Sequence, residues 1–124
     1  MPPASIHRRT PLKILLVEDE PLILLDVEFG LQQADHMVIS VCNADRAIDL
    51  MQMETVDLLL TDIDMPGSMD GLRLAATVHG RWPPTKIVVM SGKRRPADSE
   101  LPPQARFMAK PFTQSMLLQT VGIW

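Results

Sequence analysis

Acidic, hydroxyl and ammonium side chains recur in this chain at the ends of short apolar runs. Glu18 and Asp19 follow Lys13-Ile14-Leu15-Leu16-Val17, and Asp62 and Asp64 follow the run Val56 to Leu60. Ser91 follows Lys86 to Met90, and Lys110 follows Arg106 to Ala109. Clustered carboxylates repel one another and require a cation. Oxygen donors without His or Cys suit magnesium, which takes few carboxylates and keeps several waters. A lysine beside them supplies a compact charge for a phosphoryl oxygen. A carboxylate can also be a nucleophile and form an aspartyl-phosphate. The set points to metal-assisted phosphoryl transfer onto an aspartate, where positioning and charge neutralisation do most of the catalysis. Each residue alone has a plainer reading: a solvated acid at a strand end, a turn hydroxyl, a surface lysine. The joint arrangement favours chemistry.

The elements that would position these groups are legible from apolar patterning. Lys13–Val17 reads as a buried strand, and Met37–Val41 as a second. Val56–Leu60, Lys86–Met90 and Arg106–Ala109 follow as the third, fourth and fifth. Pro21 opens a helix with Leu24, Val27, Leu31 and Ala34 on one face. Asn43 caps a short helix holding Ala47, Ile48 and Leu50. Leu72, Ala75, Ala76 and Val78 suggest a third helix, which Trp82-Pro83-Pro84 breaks. Phe112 to Val121 reads as a last helix with Thr113 as its cap. Strand–helix alternation with continuous apolar strands implies an α/β fold, a parallel sheet covered on both faces. Function in such sheets gathers at the carboxyl ends of the strands, where the acids, Ser91 and Lys110 fall.

Composition sets the outer bounds. A chain of 124 residues has room for one core. Its 46% apolar and 22% charged content excludes a disordered or collagen-like chain. No apolar run reaches the roughly 18 residues of a membrane span, and Met1 to Thr10 lacks the apolar stretch of a signal peptide. Cys42 is the single cysteine, which excludes an internal disulfide and a Cys-based zinc site. A cytoplasmic location is the simplest expectation. A net charge of −3 gives no basic footprint for nucleic acid. Residues 1–11 read as a loose N-terminal tail and 12–124 as the domain. His7, His36 and His79 are scattered and are not expected to bind metal.

The chain resembles the receiver domain of two-component response regulators from Lys13 to its end. The matching pieces are Ile14 to Glu20, Asp57 to Pro66, Met69 to Leu72, Val88 to Gly92 and Lys110-Pro111-Phe112. The resemblance implies a flavodoxin-like, doubly wound five-stranded sheet in the order 2-1-3-4-5. It makes Asp62 the phosphoacceptor. Magnesium falls to Glu18, Asp19, Asp62 and the backbone carbonyl of Asp64. Ser91 and Lys110 contact the phosphoryl group, and Ser91 and Phe107 form the switch. Lys110–Pro111 becomes a candidate cis bond. The donor is a histidine kinase or histidine phosphotransfer protein. The face around strands four and five changes shape on phosphorylation, and a protein partner reads that change. The domain is not an enzyme; at most it assists its own phosphorylation and dephosphorylation.

Several features depart from the family pattern. Asp64 adds a third carboxylate beside the acceptor. The loop Met65 to Gly71 is one residue longer than usual. Pro96, Pro102 and Pro103 leave the fourth helix short or missing. Phe107 lacks a hydroxyl. No DNA-binding domain follows the last helix, which suggests a stand-alone receiver or a piece of a longer one, acting through protein partners or as a phosphate sink. The first helix carries further apolar residues, Leu22, Ile23, Leu25 and Phe29. The last carries Met116, Leu117, Leu118 and Val121, with Ile123 and Trp124 beyond. Core packing is expected to take most of these, leaving some for a partner or a homodimer. Two other readings stay open. One is a receiver-like module that binds partners without phosphorylation. The other is a haloacid-dehalogenase-type phosphatase, suggested by Asp62-Ile63-Asp64, although that motif ends the first strand of a larger domain and here follows the third.

Overall fold

The computed structural model describes residues 10–122. Most of the expected N-terminal tail, with His7, lies outside these residues, as do Ile123 and Trp124. Five strands, β1 (Lys13–Val17), β2 (Met37–Val41), β3 (Leu58–Asp62), β4 (Lys86–Ser91) and β5 (Arg106–Ala109), form one parallel sheet in the order β2-β1-β3-β4-β5. Four α-helices connect or flank them: α1 (Pro21–Gln33), α2 (Ala44–Met51), α3 (Gly71–Arg81) and α4 (Gln114–Gly122). The strand order and the covering of both faces agree with the expected doubly wound sheet.

Strand alternation divides the core in two. Leu15, Val17, Leu59, Val89 and their neighbours pack against Ala47 of α2 and Leu74, Ala75 and Val78 of α3. Ile14, Leu16, Leu58, Leu60, Val88 and Met90 pack against Val27 and Leu31 of α1 and Leu117 and Val121 of α4. Both faces of the central strands are thus apolar, which is why those strands read as unbroken apolar runs.

The helix ends follow local chemistry. Asn43 Oδ1 accepts the Arg46 N–H at 2.9 Å, and Asp70 Oδ1 accepts that of Arg73 at 2.9 Å. Thr113 Oγ1 accepts the Met116 N–H at 3.1 Å, so the last helix starts at Gln114 rather than Phe112. After α1 the chain turns in the left-handed region at Asp35 (φ 69). There His36 N–H reaches Leu31 O at 3.1 Å and Asp35 N–H reaches Gln32 O at 2.9 Å, a Schellman closure. His36 is structural: its Nδ1 accepts the Leu12 N–H at 3.0 Å.

Several expectations are corrected. β3 starts at Leu58, with Val56 buried just ahead of it. On α3, Leu74 is buried and Ala76 is exposed. The extra apolar residues of α1 are mostly outside the core: Leu22 is 77% exposed, Leu25 57% and Phe29 61%. That helix is apolar around much of its circumference, yet it fully buries only Val27, Gly30 and Leu31, with Ile23 and Leu24 half-buried against the core. On α4 the outcome is mixed, with Leu117 and Val121 buried and Met116 exposed.

Between β4 and β5, where the prolines disfavour a fourth helix, there is a single 3-10 turn at Asp98–Glu100. Contacts of side chains replace helical hydrogen bonds there. Arg94 pairs with both Glu100 oxygens at 2.9 and 3.0 Å. Glu100 Oε1 also accepts the Ala97 N–H at 2.9 Å. Pro96 is buried, and the Arg95 guanidinium lies 5.1 Å from the Phe107 ring centre.

Candidate functional site

The register brings the chemistry together. β1 and β3 lie side by side, with Val17 opposite Thr61, so Glu18 and Asp19 emerge beside Asp62. Ser91, opposite Ala109, brings β4 and β5 to the same end, where Lys110 leaves the sheet. Oxygens of Glu18, Asp19 and Asp62 lie within 4.8 Å of one another. Lys110 Nζ stands 2.8 Å from Glu18 Oε1 and 3.2 Å from Asp62 Oδ1. The Lys110–Pro111 bond is cis, as expected. Glu18, only 1% exposed, also accepts the Glu20 N–H at 3.1 Å. A carboxylate so far from water needs both partners.

The electrostatics are those of charges crowded together. Burial raises the Asp62 pKa, and the neighbouring Glu18 raises it further; Lys110 pulls it down, and the net shift is upward. For Lys110, burial favours the neutral amine, yet Glu18 and Asp62 outweigh it and hold the ammonium charged. Asp19 is exposed, and its carboxylate has no hydrogen-bond or ion-pair partner among the described residues. The donor set therefore fits a hard divalent cation. It is all oxygen, it carries more negative charge than Lys110 alone balances, and one acid is left open to solvent.

Ser91 and Phe107 are placed less directly. Ser91 is buried beneath the cluster, and its Oγ donates to Asp64 Oδ2 at 3.0 Å rather than to Asp62. Phe107 is half-buried against the α2–α3 side of the core. Asp64 stands exposed just past β3. Sequence reasoning named Asp64 for its backbone carbonyl and did not anticipate its side-chain bond to Ser91. It also missed Gly71, at the start of α3. A Cβ there would stand 1.9 Å from the Asp62 carbonyl oxygen, so only glycine lets that helix close on β3. Its signal was the Met69 to Leu72 match, within which Gly71 opens an apolar helix and was given no role.

A family model, the response regulator receiver domain, matches residues 14–122. The response regulator receiver protein CpdR of Brucella abortus is 36% identical over 103 residues, covering 81% of this chain and 85% of that protein. The response regulator protein FleR of Pseudomonas aeruginosa is 29% identical over 113 residues, and the match spans 89% of this chain but 24% of FleR. Among solved structures, a response regulator receiver protein from Sinorhizobium medicae superimposes with a TM-score of 0.81 at 31% identity, covering 90% of this chain and 91% of that one. With its strand order, its cluster of acids and these relatives, the chain belongs to the response regulator receiver domain family.

Proposed function

We propose that residues 12–124 act as the phosphoacceptor of a two-component relay, taking a phosphoryl group from a phosphohistidine onto Asp62. One observation carries this reading. Asp62 ends the central strand with Glu18 and Asp19 oxygens within 4.8 Å and Lys110 Nζ at 3.2 Å. Glu18, Asp19, Asp62 and the Asp64 carbonyl would hold a magnesium ion, which would supply charge neutralisation for the acids and the incoming phosphoryl oxygens.

The chain's own residues do the rest. Lys110 fixes Asp62 through Oδ1 and offsets part of the cost of burying its charge. As an Asp62 oxygen bonds to phosphorus, the N–P bond to the donor imidazole breaks, and the released nitrogen takes up a proton. Lys110 then balances the new charge. Ser91 turns its hydroxyl toward a phosphoryl oxygen, and Phe107 follows into the space Ser91 leaves. This is a population shift between two states, biased by phosphate contacts. The domain signals and does not turn over a substrate.

The donor is a histidine kinase or a histidine phosphotransfer protein. It must reach Asp62 from the carboxyl end of the sheet. Beside that opening lies a groove of about 580 Å³ between Leu22, Ile23, Lys110 and Phe112, continued along α1 by exposed Leu25 and Phe29. We assign the donor to this apolar strip. A homodimer of the chain would use the same strip. A protein target reads the face around β4 and β5.

Amide NMR with magnesium and then beryllofluoride, beside an Asp62→Ala variant, tests this reading. Saturable shifts at Glu18, Asp62, Ser91 and Lys110, absent from the variant, are expected. No magnesium-dependent response in either protein would leave the chain as a partner-binding module without phosphorylation.

A further inference from the structure

Ser91 ends β4 and is 2% exposed. A serine hydroxyl has one proton to donate and two lone pairs to offer. The proton goes to Asp64 Oδ2 at 3.0 Å. The oxygen accepts the Lys93 N–H at 3.1 Å, and the Arg94 N–H approaches it at 3.5 Å. The hydroxyl is therefore committed, with its only proton on Asp64 and none left for a second acceptor. A phosphoryl group on Asp62 receives that proton only after Ser91 has let go of Asp64.

From this arrangement we infer that Asp64 is a positioning residue: its carboxylate latches the Ser91 hydroxyl in the phosphate-free orientation and competes with the phosphoryl group for the same proton. The inference rests on the reading of Asp62 as phosphoacceptor and Ser91 as its partner. A bond to a carboxylate is stronger than one to a neutral oxygen. The phosphate-free state is thus favoured until a more highly charged acceptor arrives. Asp64 is exposed, so water solvates it once Ser91 leaves, and the latch can be released. Release also reaches the segment that stands where a fourth helix would be. The Lys93 and Arg94 amides are anchored on the Ser91 oxygen, Arg94 is tied to Glu100, and Arg95 covers Phe107. When the Ser91 oxygen swings toward the phosphoryl group, the two amides lose their acceptor and the start of that segment is loosened.

A rival account is that Asp64 acts only through its charge, which raises Asp62 from nearby. Two substitutions separate the accounts, since Asp64→Asn removes the charge but keeps an acceptor, whereas Asp64→Ala removes both. The experiment measures beryllofluoride affinity in saturating magnesium for wild type and both variants, with amide spectra of the ligand-free proteins. The latch requires Asp64→Ala to tighten binding by about tenfold and Asp64→Asn by less. It also requires the Lys93 and Arg94 amides of ligand-free Asp64→Ala to shift toward their beryllofluoride-bound positions. The same step taken in a Ser91→Ala protein must leave those amides in place. Equal affinities for the Asn and Ala variants, or amide shifts that persist without Ser91, overturn the latch alone. A wild-type protein that fails to bind beryllofluoride overturns the Asp62 reading and the latch with it.

Discussion

Asp62 carries its charge at a cost. Its pKa is raised from 3.8 by burial and by Glu18, so the folded protein holds a proton there more tightly than the unfolded chain does. Stability from this group is fully present below the unfolded value and is lost as pH rises through the folded one. Ionised Asp62 therefore destabilises the metal-free protein at neutral pH, and Asp62→Asn removes that penalty. Urea denaturation in the presence of a chelator should show the Asn variant more stable at pH 7, with the gap closing as pH falls toward 4. An equal gap at both values would contradict the shift. That these residues meet at one end of the sheet was readable from residue type, because acids, a serine and a lysine recur at the ends of the apolar strands. Their pairings were not. Lys110 with Glu18 and Ser91 with Asp64 join residues far apart in sequence, and strand stagger decides which atoms meet.

At the scale of elements, the strands were legible because both of their faces are buried, and the caps were legible because Asn43, Asp70 and Thr113 offer oxygens at helix starts. The way the proline-rich segment is held was not. Arg94, Glu100 and Arg95 look like ordinary surface charges in sequence. Glu100 is held down to about 2 by the Arg94 guanidinium and then by the Ala97 N–H. Its depressed pKa means that the stability it contributes is present above the ordinary value of 4.5 and is lost as pH falls toward 2. An NMR titration of the Glu100 carboxyl carbon should give a midpoint near 2, moving toward the ordinary value in Arg94→Ala or in high salt. α3 depends on a different constraint. Gly71→Ala forces the helix away from the Asp62 carbonyl, against which a Cβ has no space. The expected loss is about 2–4 kcal/mol in denaturant unfolding, accompanied by weaker beryllofluoride binding. A variant as stable as wild type would show that α3 is free to move.

Across the whole molecule, the two core layers and the exposed strip of α1 have separate consequences. Leu59→Ala opens a cavity in a layer where the side chain is fully buried, and should cost about 2–5 kcal/mol. Phe29→Glu lies outside both layers and should change stability by no more than about 0.5 kcal/mol. It should nonetheless slow phosphoryl transfer from a kinase while leaving beryllofluoride affinity unchanged, which stopped-flow and NMR can separate. The sequence could not assign that strip, because a helix apolar around much of its circumference does not reveal which side the sheet will cover. The bond between Lys110 and Glu18 spans 92 residues, nearly the whole described chain. Lys110 follows β5, the last strand in the chain, whereas Glu18 and Asp62 belong to the ends of β1 and β3. In the folded chain Glu18 and Asp62 share the Lys110 ammonium, which offsets their mutual repulsion. A chain that lacks β5 therefore keeps both acids of this end but loses the one ammonium that pairs with each of them.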